Sequence, residues 1–238
     1  MSTLTTEWTT LATADGPMRV YTARPEQPSG KAVIVLQEAF GVNDHIQDIT
    51  RRFAEHGHLA LAPELFHRTG APVLAYEDHA DAMALISELG PDQIITDVRA
   101  VVDHLGLPPA DVAVIGFCFG GRAAFTAATA LPGLGAAVVF YGPGIAAGPH
   151  AVLDRAGQIT APLLLHVGSA DPSIPADQVE AIDKTLTTAG TDFQQYLYPG
   201  AGHAFACDAR PQRFHEPAAE QAWRRTFDFL DRRLDGRR

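Results

Sequence analysis

One short motif in this sequence has the glycine spacing that is typical around a nucleophilic residue. Residues 116–120 join an apolar run typical of a buried strand to a stretch of helical period, with Gly116 and Gly120 two places either side of Cys118. A nucleophile elbow holds its central residue in a strained backbone conformation, so the residues two positions away must lack side chains. The two glycines meet this requirement, and the motif predicts Cys118 as an attacking thiolate.

Cysteine suits this position because the thiolate is the reactive form, and a helix N-terminus beside an imidazole lowers the pKa of a thiol. A helix predicted to begin near Phe119 would supply that dipole, and the amide N–H of Phe119 would donate to an oxyanion. The alternative is a cysteine packed behind a tight turn, since free cysteine is among the most buried residue types.

A base and an acid for Cys118 follow two later predicted strands. His203 lies in a glycine-containing loop after the strand predicted over 194–198, and Asp171 follows the strand predicted over 163–167. Both lie at the carboxyl ends of strands, where ligands bind in open α/β sheets. Taken singly, each is an ordinary loop residue. Together, in the order nucleophile, acid, histidine, they predict the triad of an α/β hydrolase.

The elements that must position these residues alternate along the chain. Short apolar runs rich in branched residues predict buried strands, and amphipathic stretches between them predict helices. The predicted strands cover residues 32–36, 59–62, 112–115, 136–141, 163–167 and 194–198. The predicted helices cover residues 44–57, 74–89, a segment from Asp92, 119–131, 176–189 and 217–234. This alternation predicts the α/β class, with a mostly parallel central sheet and helices on both faces.

The N-terminal region has a different pattern. Residues 7–13 and 18–23 flank Asp15-Gly16, which predicts an antiparallel hairpin at the edge of the sheet. No composition shift or repeat divides the chain, so we predict a single domain over 1–238. Within it, residues 64–91 could form a small lid or a helical excursion over a site at the sheet edge.

Composition and charge exclude several classes of function. Eighteen basic and 28 acidic residues give a formal charge of −10, which disfavours nucleic acid and anionic membrane surfaces as partners. No leader pattern and no long apolar stretch is visible, so we predict a cytoplasmic protein. The two cysteines have no zinc-like spacing, which predicts free thiols, no metal and no cofactor. The pattern leaves open a monomer or a homodimer.

These motifs together resemble the dienelactone hydrolase (carboxymethylenebutenolidase) family. Its members are α/β hydrolases that have cysteine where most hydrolases of this fold have serine. The matching segments span nearly the whole chain in the expected order, at residues 37–41, 62–66, 116–121, 166–171 and 202–205. The resemblance implies an α/β-hydrolase fold and cofactor-free hydrolysis of a small ester or lactone.

The resemblance also implies two further roles in the site. Glu38 would be a carboxylate that contacts the resting thiol and moves when substrate arrives, and the amide N–H of Ala39 would be the second oxyanion donor. Without the resemblance, Glu38 is an acid at a strand end, which is more often solvated than buried.

The sequence departs from this family at the residues that bind the substrate's carboxylate. Members anchor that group with two arginines, one in the lid-like segment and one just after the catalytic histidine. Here Cys207 falls at the second position, and residues 72–89 contain no arginine. Arg68, Arg210 or Arg213 could bind an anion instead, and an uncharged ester fits equally well.

Other candidate pocket residues are aromatic. They could equally belong to the core, and they are Phe40, Tyr76, Tyr141 and Phe205.

We therefore predict a hydrolase in which His203 takes the thiol proton and Cys118 forms a thioester, which water then cleaves. A non-catalytic receptor or carrier of small molecules is one alternative. A redox pair of Cys118 and Cys207 is another, because reactive thiols also oxidise readily. One His–Cys pair, His203 and Cys207, is too few ligands for zinc.

Overall fold

The computed structural model describes residues 4–236, so residues 1–3 and 237–238 of the predicted domain lie outside the described residues. The strands are β1 (Leu4–Thr13), β2 (Gly16–Pro25), β3 (Ala32–Leu36), β4 (Leu59–Pro63), β5 (Val112–Phe117), β6 (Ala136–Phe140), β7 (Leu163–Gly168) and β8 (Phe193–Tyr198). The α-helices are α1 (Asp44–Glu55), α2 (His79–Glu88), α3 (Pro91–Leu105), α4 (Phe119–Ala130), α5 (Ala176–Ala189) and α6 (Glu216–Leu230).

All these strands form one sheet in the order β1-β2-β4-β3-β5-β6-β7-β8. The pairs from β4 through β8 are parallel, whereas β1 pairs with β2 and β2 with β4 in antiparallel register. Thr13 pairs with Gly16 across the hairpin turn. The predicted α/β fold with an antiparallel N-terminal edge is confirmed.

Helices cover both faces of the sheet, which explains why the central strands are apolar along their whole length. Along β5, Val112 and Val114 pack in the cluster that contains α3 and α4, whereas Ala113 and Ile115 pack in the cluster that contains α1 and α6. Every residue of β3, β5, β6 and β7 is buried as a result.

Several element boundaries differ from the sequence-based prediction. The helix predicted over 74–89 begins only at His79, because the N–H of Leu74 donates to the carbonyl of Phe40 and residues 75–78 form a separate turn, in which the N–H of Asp78 donates to the carbonyl of Ala75. The strand predicted over 136–141 ends at Phe140, since Tyr141 adopts a φ of 37°. The helix predicted over 217–234 spans Glu216–Leu230 and continues as a π-helical turn.

Within residues 4–236, no helix is both long and apolar enough to cross a membrane.

Candidate active site

The turn between β5 and α4 has the geometry of a nucleophile elbow. Cys118 adopts φ 54° and ψ −119°, a backbone conformation that costs a residue with a side chain about 1–3 kcal/mol. A Cβ on Gly116 would overlap the backbone of Gly120, and a Cβ on Gly120 would overlap the carbonyl oxygen of Leu36. The glycines therefore allow α4 to begin directly against the end of β3, with the thiol at the turn.

The structure brings the three predicted triad residues together. Nε2 of His203 lies 3.0 Å from Sγ of Cys118, and Nδ1 of His203 lies 2.7 Å from Oδ2 of Asp171. The other carboxylate oxygen of Asp171 accepts the backbone N–H of Ser173 at 2.8 Å. Sulfur, imidazole and carboxylate thus form a continuous chain from three separate loops.

His203 is mostly buried, and its surroundings favour the protonated imidazole. Burial alone would lower the pKa of His203, but the Cys118 sulfur and the Asp171 carboxylate outweigh it and raise the pKa to about 10. An imidazolium beside the sulfur stabilises the negative charge of a thiolate, which is the nucleophilic form.

The two amides predicted for an oxyanion hole flank the same space. Ala39 follows β3, Phe119 is the first residue of α4, and both line a cavity with Cys118. The first-turn N–H groups of a helix have no partner within the helix, so that of Phe119 is suited to donate a hydrogen bond to an anion.

The cavity has a volume of about 470 Å³, which suits a small ligand. Part of its wall is apolar, and part is cationic. The residues that line it are Glu38, Ala39, Phe40, His79, Met83, Ile86, Cys118, Phe119, Arg122, Pro143, Gly144, Pro172, Ser173, His203, Ala204, Arg210 and Arg213.

Of the aromatic residues predicted as substrate contacts, only Phe40 lines this cavity. Tyr141 is fully buried and packs edge-on against the ring of His203 at 5.5 Å and against Phe205. Tyr76 packs edge-on against Phe40. Tyr76, Tyr141 and Phe205 therefore lie behind the cavity wall, and their contact with substrate stays a prediction.

Arg68 lies away from the cavity. Its guanidinium forms two hydrogen bonds with the fully buried carboxylate of Asp97, at 2.7 and 2.9 Å, and also pairs with Asp15. A buried carboxylate needs such a partner, because an unpaired charge in the interior is costly. Arg68 is thus engaged by two carboxylates outside the cavity lining, and its contact with substrate stays a prediction.

Arg122 is a cavity residue that the sequence analysis missed. It lies four residues after Cys118, a spacing that places two helical residues on neighbouring positions of one face. It is buried, and its Nη2 has no hydrogen-bond partner among residues 4–236. Burial lowers the pKa of Arg122, opposed by the nearby Cys118. The spacing from Cys118 could have identified it.

Glu38 is buried at the back of the cavity. Its Oε2 accepts a hydrogen bond from the hydroxyl of Tyr76 at 3.3 Å. Burial raises the pKa of Glu38, although His45 and Arg210 oppose the shift. The sulfur of Cys118 pairs with Nε2 of His203, and a contact between Glu38 and the resting thiol stays a prediction.

Comparison with known proteins gives the family. The model of the dienelactone hydrolase family matches residues 18–234, which is most of the chain. The chain belongs to the dienelactone hydrolase family. This membership confirms the resemblance seen in the sequence and the prediction of a hydrolase of this type.

Relatives within the family match over nearly their full length. A Yersinia pestis protein provisionally named a carboxymethylenebutenolidase is 37% identical over 235 residues, covering 93% of this chain and 86% of the relative. An Escherichia coli protein with the same provisional name is 38% identical over 236 residues, covering 94% of this chain and 85% of that relative. A crystal structure from Klebsiella pneumoniae, provisionally titled a dienelactone hydrolase, has 33% identity and a TM-score of 0.87, covering 96% of this chain and 98% of that one.

Proposed function

We propose that this member of the dienelactone hydrolase family cleaves small esters or lactones, with Cys118 as the nucleophile. The observation that carries the proposal is the chain of contacts from the Cys118 sulfur through His203 to Asp171 at the cavity wall. The names of the relatives agree with lactone hydrolysis.

In the acylation step, His203 holds the proton of the thiol and the Cys118 sulfur attacks the substrate's carbonyl carbon. A C–S bond forms, and the carbonyl oxygen gains the negative charge of a tetrahedral intermediate. The backbone N–H groups of Ala39 and Phe119 would donate to this oxyanion, and loss of one such donor typically costs about 2.7–4 kcal/mol of barrier. The intermediate then expels the alcohol oxygen, which takes the proton from His203 and leaves a thioester.

In the deacylation step, His203 removes a proton from water, and the resulting hydroxide attacks the thioester. The C–S bond breaks, the acid leaves, and His203 again shares its proton with the Cys118 sulfur. Asp171 keeps the imidazole oriented with Nδ1–H toward the carboxylate and Nε2 toward the reacting atoms.

The cavity wall favours a substrate that carries an anionic group. Arg122, Arg210 and Arg213 line the cavity, and buried nitrogens of Arg122 (Nη2) and Arg210 (Nε) have no partner in residues 4–236. Buried donors without partners are costly, so a ligand that accepts from them gains affinity. Arginines at other positions would thus replace the two that the family uses for its substrate's carboxylate.

The decisive test is the Cys118→Ala variant assayed with a p-nitrophenyl ester. We expect wild-type protein to show turnover and to accumulate a covalent acyl adduct, which mass spectrometry of quenched peptides should map to Cys118. The variant should keep its circular dichroism spectrum and lose both signals. Turnover that survives in Cys118→Ala, or an adduct on Cys207, would reject the mechanism.

The same measurement separates the alternatives. A receptor or carrier would show no turnover of any ester in a panel that includes lactones. A redox pair would form a reversible disulfide between the two cysteines, but here Cys118 Sγ contacts His203 whereas Cys207 Sγ contacts the hydroxyl of Tyr76. These separate partners favour hydrolysis.

A further inference from the structure

A second group of chemically reactive side chains lies behind the cavity wall. Glu38, His45 and Cys207 each offer one donor atom, and these atoms all lie within 4.8 Å of one another. They come from the loop after β3, the first turn of α1 and the loop after the catalytic histidine. All three residues are buried, at 1%, 5% and 0% exposure. The proposed hydrolytic mechanism uses neither His45 nor Cys207.

His45 provides the observation that points to a ligand. Its Nδ1 lies 3.3 Å from Oδ1 of Asp208, which favours the tautomer with the proton on Nδ1 and leaves a lone pair on Nε2. That Nε2 is buried and has no hydrogen-bond partner within residues 4–236. An unsatisfied buried polar atom destabilises the folded protein, so an occupant of the site that pairs with it would recover that free energy.

We propose that Glu38, His45 and Cys207 form a zinc-binding site, with a carboxylate oxygen, the imidazole Nε2 and the thiolate sulfur as ligands. Zinc accepts this mixture of oxygen, nitrogen and sulfur donors, whereas magnesium and calcium prefer oxygen alone. The carboxylate and the thiolate together balance the double positive charge of the ion. A buried site of zero net charge avoids the large desolvation penalty of an unpaired ion.

The surroundings of the site resemble those of bound metals in general. A histidine that binds metal usually has a carboxylate beside its other ring nitrogen, and Nδ1 of His45 lies 3.3 Å from Oδ1 of Asp208. The hydroxyl of Tyr76 lies 3.3 Å from Oε2 of Glu38 and 3.6 Å from Sγ of Cys207, where it would orient both ligands. Zinc–ligand distances of about 2.0–2.3 Å require the donor atoms to approach one another by roughly 1 Å, which side-chain rotation can supply.

Binding replaces the S–H bond of Cys207 with a sulfur–zinc bond. Burial and the nearby Glu38 carboxylate raise the pKa of the Cys207 thiol to about 12, so the free site holds a neutral thiol. The proton leaves to solvent, zinc keeps its oxidation state, and Glu38 releases its own proton if it carries one. Glu38 also lines the substrate cavity, which gives the ion a route into the buried site.

Cobalt(II) tests the proposal, because a cobalt–thiolate bond gives a charge-transfer absorption in the near ultraviolet. Metal-free full-length protein should bind one cobalt ion with this absorption, and added zinc should displace it. Cys118→Ala keeps the proposed ligands and removes the catalytic thiol, so it should retain the band. Cys207→Ser and His45→Gln should lose it.

A fourth variant tests the site without removing a ligand from the core. Asp208 has a partly exposed side chain, so Asp208→Asn should fold normally, and loss of its support for His45 should weaken cobalt and zinc binding 10- to 100-fold. Thermal unfolding of the metal-free variants checks that each one folds.

Two results would overturn the proposal. One is the absence of a thiolate–cobalt band in wild-type protein. The other is a band that survives in Cys207→Ser and disappears in Cys118→Ala, which would place the metal on the catalytic dyad. The key absorption band is measured in Cys118→Ala, which lacks the catalytic thiol. The experiment can therefore reject the zinc site without rejecting the hydrolytic mechanism, and the esterase assay can reject the mechanism without rejecting the zinc site.

Discussion

The imidazole of His203 is held from three directions by groups of different chemistry. The Cys118 sulfur faces Nε2, the Asp171 carboxylate faces Nδ1, and the ring of Tyr141 packs edge-on against it. A ring held in this way loses little further freedom when substrate binds, which is how a preorganised site lowers a barrier. At the scale of single residues, activity in the proposed mechanism therefore depends on the orientation of this one ring.

The carboxylate of Asp171 is expected to matter for rate rather than for folding. Asp171→Asn keeps the oxygen that accepts the N–H of Ser173 but turns the imidazole toward the wrong tautomer. We predict a fall in kcat of about 10²–10⁴-fold, with little change in KM, from steady-state kinetics. Asp177→Asn, the same change at an exposed position on α5, is the control. Equal kcat values for Asp171→Asn and wild type would contradict the proposed role.

The elbow makes a second prediction at this scale. A Cβ on Gly120 would meet the carbonyl oxygens of Leu36 and Gln37, which belong to backbone and cannot turn aside. Gly120→Ala should therefore lower the free energy of unfolding by about 3 kcal/mol or more, measured by urea denaturation. Gly157→Ala, where nothing lies within 4 Å of the new Cβ, should change it by less than about 1 kcal/mol. A similar decrease in the free energy of unfolding for both variants would show that a side chain at Gly120 meets no special steric conflict.

Two helices that flank the cavity differ greatly in how firmly they are held. In α4, 11 of the 12 residues are buried, and the helix packs directly on the sheet. In α2, Ala82 is the one buried residue, and Met83 is 61% exposed. A segment with few buried apolar contacts opens at low free-energy cost. At the scale of elements, α2 is the part of the wall best able to move aside for substrate.

Hydrogen exchange should detect this difference. We predict that amides of α2 exchange at least about 100-fold faster than those of α4 in the free protein. Ala82→Gly should speed exchange in α2 further and leave α4 unchanged, because it weakens only the helix's own packing. Equal protection of the two helices would contradict a mobile α2.

At the scale of the whole molecule, a buried histidine links two strands and a helix near one edge of the sheet. His166 on β7 bonds through Nδ1 to the hydroxyl of Tyr198 on β8 at 2.8 Å, and through Nε2 to the hydroxyl of Thr226 on α6 at 3.0 Å. Burial, with Arg225 adding to it, lowers the pKa of His166 to about 3. The folded protein therefore holds this imidazole neutral at every mildly acidic pH.

This histidine should make the whole fold sensitive to acid. Its pKa is about 3 when folded and about 6.5 when unfolded, so below pH 6.5 the unfolded chain binds a proton that the folded protein does not. The contribution of His166 to the free energy of unfolding is fully present above pH 6.5 and declines toward pH 3. At pH 5 the free energy of unfolding is lower by about 2 kcal/mol. Urea unfolding at pH 7 and pH 5 measures it.

Two variants separate His166 from other titrating groups. His166→Gln keeps a donor and an acceptor without titrating, so its stability should fall less between pH 7 and pH 5 than that of wild type. His104→Gln, at an exposed position, should follow the wild-type curve. A parallel decline in wild type and His166→Gln would show that other groups cause the acid sensitivity.

The sequence alone determined the features whose physics is local. The nucleophile elbow depends on glycine at fixed spacing around Cys118, and the strands and helices depend on short-range apolar periodicity. The hairpin depends on the turn residues Asp15-Gly16. The positions of Asp171 and His203 at strand ends followed from the parallel sheet, because such ends meet at one edge.

Only the tertiary structure decided which side chains from distant segments meet. The sequence alone allowed Arg68 to contact substrate, whereas the structure pairs its guanidinium with the buried carboxylate of Asp97. The start of α2 was set by a hydrogen bond from Leu74 to the distant Phe40, and the partners of Cys207 came from segments more than 130 residues earlier. These contacts depend on packing between elements, and no local pattern of residue types encodes them.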